Sequence, residues 1–221
     1  MRKMQLLDAL LQRAMVAIVR ADTADAALRL AEACIAGGMT ALEIAFTTPD
    51  TLAVLRALHA RHGDALLLGA GTVLDAETAR AAILAGARMI IAPSVDLATI
   101  ALCQRYQVLS MPGALSPTEI VSAMQAGADI VKIFPAEMFG PAYIKAVRAP
   151  LPQAALMPTG GVTVDNLDQW FAHGAVAVGI GSSLTGPGTD GDDGAVTARA
   201  RAFQAKMATI RAAGGVNGAA S

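Results

Sequence analysis

Aromatic residues are scarce in this chain of 221: Phe, Tyr and Trp together supply 4% of it, with a single tryptophan. Nucleic-acid surfaces combine stacking platforms with clustered basic residues. Here 17 basic residues face 18 acidic ones, the net charge is −1, and no basic run occurs, so no nucleic-acid partner is expected. Cysteine is almost absent too. Cys34 and Cys103 lie far apart in apolar helical patterns and match neither a metal spacing nor a redox motif. Both read as buried thiols of a protein in the reducing cytoplasm. Histidine is limited to His59 and His62, in one helical pattern, and His173 near a helix end. No strand end offers imidazole, so a zinc or other transition-metal site lacks ligands, and Mg²⁺ has no obvious cage. Hydrophobic residues reach 54%, yet no uninterrupted run approaches the ~18 residues of a membrane span. Arg2 and Lys3 precede leucines, but Asp8, Gln12 and Arg13 break that stretch. It reads as an amphipathic helix over residues 2–13 and not as a signal peptide.

What the chain does have is repetition. Eight short apolar segments read as strands: residues 15–20, 41–46, 66–71, 89–93, 108–112, 130–135, 155–159 and 177–181. Helical patterns separate them, among them 24–36, 51–61, 77–85 and 118–126. Four helices enter the next strand through a glycine step: Gly37-Gly38-Met39, Gly86-Ala87-Arg88, Gly127-Ala128-Asp129 and Gly174-Ala175-Val176. Glycine tolerates the left-handed geometry that stops a helix there. Ser116-Pro117-Thr118-Glu119 supplies an N-cap, a first-turn proline and a capping-box glutamate. Eight strand–helix units predict an α/β chain folded as a (β/α)₈ TIM barrel, with the N-terminal helix as an addition. A doubly wound open sheet has difficulty placing eight similar units, and no G-x-G-x-x-G opens a helix after the first strand. Residues 1–213 are read as one barrel domain, including a last helix at 195–211. Residues 186–194 read as a Gly/Asp-rich loop, and 214–221 as a flexible tail.

Within Asp129-Ile130-Val131-Lys132-Ile133-Phe134-Pro135, Lys132 is the one ammonium in an apolar strand. Alternation places Ile130, Lys132 and Phe134 on one face. Burying a charged amine is costly, so a buried lysine finds a partner or becomes easily deprotonated, and a neutral amine attacks carbonyl carbon to form a Schiff base. A strand-end lysine snorkelling to solvent is the plain alternative. On the second strand Ala41, Glu43 and Ala45 share a face opposite the bulky Leu42, Ile44 and Phe46, so Glu43 points inward. Schiff-base chemistry needs a proton shuttle, and Glu43 is the inward acid able to serve; a structural ion pair is the alternative. Arg20 ends the first strand and Thr72 follows the third; both suit an anion, or form part of the rim. Gly160-Gly161 and Gly181-Ser182 follow the last two strands, where barrels often hold phosphate on backbone N–H groups.

In order and spacing, several segments together resemble the 2-keto-3-deoxy-6-phosphogluconate (KDPG) and 4-hydroxy-2-oxoglutarate (KHG) aldolase family. They are Ala17-Ile18-Val19-Arg20, Leu42-Glu43-Ile44, Gly69-Ala70-Gly71-Thr72-Val73, Met111-Pro112-Gly113, Val131-Lys132-Ile133-Phe134-Pro135-Ala136-Glu137 and Pro158-Thr159-Gly160-Gly161-Val162. The resemblance implies a metal-free, cofactor-free class I aldolase acting on a phosphorylated keto acid, and a homotrimer. It implies Lys132 as the Schiff-base lysine and Glu43 as the acid/base. Arg20 and Thr72 would hold the pyruvate carboxylate, Pro93, Pro112 and Phe134 would line the pocket, and Gly160, Gly161, Gly181 and Ser182 would take the phosphate. Thr159 matches the gluconate branch, where the related 2-keto-3-deoxy-6-phosphogalactonate enzymes tend to have an aliphatic residue. The stretch from Phe139 to Lys145 resembles those galactonate enzymes as well, which leaves the C4 epimer open. Some members carry an arginine where this chain has Thr47. A phosphosugar isomerase barrel, needing no imine, and a non-catalytic barrel binding a phosphorylated metabolite are the competing functional readings.

Overall fold

The computed structural model describes residues 2–186 and 192–214. Strands β1 (Met15–Val19), β2 (Ala41–Ala45), β3 (Leu67–Gly71), β4 (Met89–Ile91) and β5 (Leu109–Met111) join β9 (Val178–Ile180) in a sheet ordered β5-β4-β3-β2-β1-β9. A second sheet contains β6 (Gly113–Ala114), β7 (Val131–Ile133) and β8 (Leu156–Pro158). Every pairing in both sheets is parallel. Each of the eight expected strands contains one of these, trimmed at its ends. The additional strand β6 arises because Pro112, which has no N–H for a ladder, divides one extended stretch into β5 and β6.

Helices alternate with the strands: α1 (Arg2–Arg13), α2 (Ala24–Ala36), α3 (Thr51–His62), α4 (Ala76–Leu84), α5 (Leu97–Tyr106), α6 (Pro117–Gln125), α7 (Pro141–Arg148), α8 (Leu167–Ala172), α9 (Ser182–Thr185) and α10 (Asp193–Ala212). The start of α6 forms as its sequence dictates. The Ser116 hydroxyl accepts the Glu119 N–H, and the Glu119 carboxylate accepts the Ser116 N–H at 2.8 Å. Gly38, Gly86, Gly127 and Gly174 take φ between +94° and +108° where helices give way to strands. At the first step Gly38 makes the turn and Gly37 does not. The expected loop at 186–194 and tail at 214–221 fall largely outside the described residues.

The curled sheets separate two apolar layers. Outward-facing residues such as Leu42, Ile44, Leu68 and Ile90 pack with Leu30, Leu55, Leu58 and Ile120 of the helices. Inward-facing Val16, Ala41, Leu67, Met89, Leu109, Ile130 and Met157 form a separate cluster near the N-terminal ends of the strands. Helix α1 seats its fully buried Leu10 in that inner cluster, with Leu6, Leu7 and Leu11 packed beside it. Burying one such leucine contributes about 1.5–3 kcal/mol. A short ion pair, Lys3 Nζ to Asp129 Oδ2 at 3.0 Å, ties α1 to the chain entering β7. The inner layer becomes polar further along the strands, where Glu43 and Lys132 replace hydrocarbon.

Candidate active site

Strand pairing puts Glu43 in register with Ile18 on one side and Gly69 on the other, in the middle of β2. Lys132 is the central residue of β7, in register with Gly113 and Met157. Its backbone N–H donates to the Pro112 carbonyl at 2.9 Å, which anchors β7 beside the break in the neighbouring strand. Both side chains point inward, as the alternation requires. Lys132 Nζ lies 3.5 Å from Glu43 Oε1, with side-chain exposures of 7% and 2%. Snorkelling is therefore ruled out for Lys132. Glu43 Oε2 is buried and has no hydrogen-bond partner, so this carboxyl keeps a free acceptor facing the interior. Buried polar atoms in folded proteins are nearly always satisfied, and an orphan acceptor beside a buried amine marks a place for a ligand or water. Phe134, the next inward residue, sets its ring centroid 5.3 Å from the ammonium nitrogen.

The space for this pair comes from glycine. A Cβ at Gly71 would fall on the Glu43 carboxyl, and one at Gly179 would fall on the Thr159 hydroxyl. Thr159 is buried, and its Oγ1 has no partner. Its backbone is fixed between β7 and the following turn: its N–H donates to Ile133 and its carbonyl accepts from Ala136, each at 2.9 Å.

A cleft of about 440 Å³ has Phe134, whose ring lies by the Lys132 amine, with Thr159, Gly160, Gly161, Gly181 and Ser182 among its lining residues. All six were expected in the site from the sequence, and the fold brings them together. Gly160 and Gly161 adopt φ of +100° and +71°, which an L side chain would strain. A larger depression of about 680 Å³ lies outside the strands, against α2 and α10, and its Arg61 is already paired with Glu32 at 3.0 Å.

The remaining expected residues sit at strand ends. Arg20 follows β1 and is exposed; Thr72 follows β3, half-buried with φ of +58°; Pro93 follows β4, half-buried; Pro112 is buried between β5 and β6. None of the four makes a side-chain hydrogen bond to Glu43 or Lys132. Glu137, two residues beyond Pro135 in the segment that carries Lys132, has no role expected from the sequence. Its side chain reaches the turn after β8, and it lines the cleft. Its only sequence signal was its place just beyond the strand that carries Lys132.

The site thus has a buried amine 3.5 Å from a buried carboxyl, both midway along parallel strands, with a glycine-walled cleft among the same strand ends. Residues 7–198 match the family model described as KDPG and KHG aldolase. The chain is 39% identical over 171 residues to 2-dehydro-3-deoxy-6-phosphogalactonate aldolase of Escherichia coli (strain K12), covering 77% of this chain and 83% of that one. It is 36% identical over 168 residues to 2-dehydro-3-deoxy-phosphogluconate aldolase of Treponema pallidum (strain Nichols), covering 76% and 80%. Among solved structures, KDPG aldolase from Legionella pneumophila, with pyruvate captured as a covalent carbinolamine intermediate, superposes with a TM-score of 0.78 at 28% identity, over 89% of this chain and 97% of that one. The chain belongs to the KDPG and KHG aldolase family. It is a class I aldolase, a lyase.

Proposed function

We propose that the enzyme cleaves 2-keto-3-deoxy-6-phosphogluconate to pyruvate and glyceraldehyde 3-phosphate. The observation that carries this reading is the buried Lys132–Glu43 pair, 3.5 Å apart, with Phe134 between the amine and a cleft of about 440 Å³. As the neutral amine, Lys132 adds to the C2 ketone to give a carbinolamine. Glu43 relays the protons that let water leave and the iminium form. The C3–C4 bonding pair then flows into the iminium while the Glu43 carboxylate takes the C4 hydroxyl proton, which releases the aldehyde and leaves an enamine. Protonation at C3 and hydrolysis free pyruvate and regenerate Lys132. Arg20 and Thr72 receive the substrate carboxylate, Pro93, Pro112 and Phe134 wall its pyruvyl part, and Gly160, Gly161, Gly181 and Ser182 take the phosphate. The unphosphorylated 4-hydroxy-2-oxoglutarate, giving pyruvate and glyoxylate, fits the same chemistry.

A second reading, the galactonate epimer, is favoured by the 39% identity to the Escherichia coli galactonate enzyme. The gluconate reading draws on Thr159, a residue of the cleft lining whose buried hydroxyl has no partner. A coupled assay of pyruvate release with lactate dehydrogenase, comparing both epimers and the unphosphorylated acid, decides between them. Faster turnover of the galactonate epimer would replace the first reading with the second; no pyruvate from any of them would reject both.

The reading includes a closed (β/α)₈ barrel in a single domain over residues 1–213. In its support, β1 pairs with β9, a parallel bridge joins Thr159 to Gly179, and only Pro112 separates β5 from β6. In that barrel α1 covers the floor. It also includes a homotrimer in the cytoplasm. Exposed Leu74, Leu97, Met138 and Phe139, all beyond C-terminal strand ends, offer apolar surface to another copy, and the free buried thiols suit a reducing compartment.

A further inference from the structure

We propose that Glu137 is a specificity-determining residue: a solvent-exposed anion set against the Gly160–Gly161 turn that weakens the enzyme's hold on dianionic phosphate. The inference rests on the reading above, which assigns phosphate to that turn. The carboxylate is close enough that a Cβ on Gly160 would come within 2.9 Å of Glu137 Oε2, and one on Gly161 within 2.8 Å of Glu137 Cβ. The side chain lines the same cleft as the unpartnered Thr159 hydroxyl. Among the described residues lining the cleft, Glu137 is the one charged side chain; no lysine or arginine joins it. The Ser183 hydroxyl, a neighbouring donor, is already committed to the Val162 carbonyl at 2.6 Å.

An anion entering this turn therefore finds amides and hydroxyls but no countercharge, and a fixed negative charge nearby. The consequence is a distal subsite whose hold on phosphate is weaker than its amides and hydroxyls alone would give, while an uncharged tail does not feel the carboxylate. Charge at Glu137 thus sets how far the enzyme prefers phosphorylated over neutral aldehyde products.

The test is calorimetric titration of the enzyme with inorganic phosphate, together with the kcat/KM ratio for phosphorylated against unphosphorylated keto acid. Glu137→Gln is expected to bind phosphate about three- to tenfold more tightly, the effect of removing one charge a few ångströms from a dianion near the surface, and to raise that ratio to a similar extent. Glu137→Asp, which keeps the charge, is expected to stay near the parent. Unchanged or weaker phosphate binding in Glu137→Gln would overturn the proposal and make Glu137 a prop for the turn. Borohydride trapping of pyruvate on the same samples separates the failures: an adduct without tighter phosphate binding refutes only the role of Glu137, while no adduct refutes the aldolase assignment beneath it.

Discussion

The Glu43 carboxyl occupies the volume that a side chain on Gly71 would fill. The two residues lie on adjacent strands, β2 and β3, two positions out of register, and the missing Cβ lets the acid lie flat toward Lys132. Gly71→Ala is expected to keep the fold by circular dichroism and to lower kcat about 10²-fold, the scale of loss for a catalytic group misplaced by about an ångström. Parent-like turnover would show that the carboxyl does not need this position.

Removing the charge and leaving the shape is the complementary experiment. Glu43→Gln is expected to fold normally and slow turnover by roughly 10²–10⁴, the usual contribution of positioned acid–base help. A variant with near-parent kcat would make the pair a structural ion pair.

The inward acid and amine were legible because strand alternation is strict. With Leu42 and Ile44 committed to the helices, Glu43 had one direction left, and the same logic turned Lys132 inward. The glycine walls were legible as turns but not as spacers. Gly37 illustrates why: its φ is ordinary, and glycine is required because a Cβ would strike Ala200 of α10, far along the chain. Glu137 was illegible for the same reason, since its place depends on how the turn after β8 folds back toward the segment after β7. The strand expected over 108–112 stopped at Pro112, and the two-residue β6 just beyond it, Gly113–Ala114, was too short to leave an apolar pattern.

The inner cluster supplies a stability test. Leu10→Ala is expected to cost about 2–5 kcal/mol in urea unfolding, the range for emptying a buried leucine site. A loss under about 1 kcal/mol would mean that α1 is not an integral part of the core.

The thiols provide a pH test. Burial pushes both Cys34 and Cys103 up to about 12 from an ordinary value of 9.0. The folded state thus keeps its thiol protons where the unfolded chain gives them up. Their stabilising contribution is intact below pH 9 and declines as pH rises from 9 towards 12. A disulfide reagent at pH 8 is expected to modify neither cysteine until denaturant is added. Stoichiometric labelling of the native enzyme would contradict their burial.

The most direct test of the central claim is reduction with borohydride in the presence of pyruvate, followed by peptide mass mapping. One reduced pyruvyl adduct is expected, on the peptide containing Lys132, and it should vanish in Lys132→Met. No adduct, or an adduct on Lys145, would contradict the assignment of Lys132 as the amine that forms the imine.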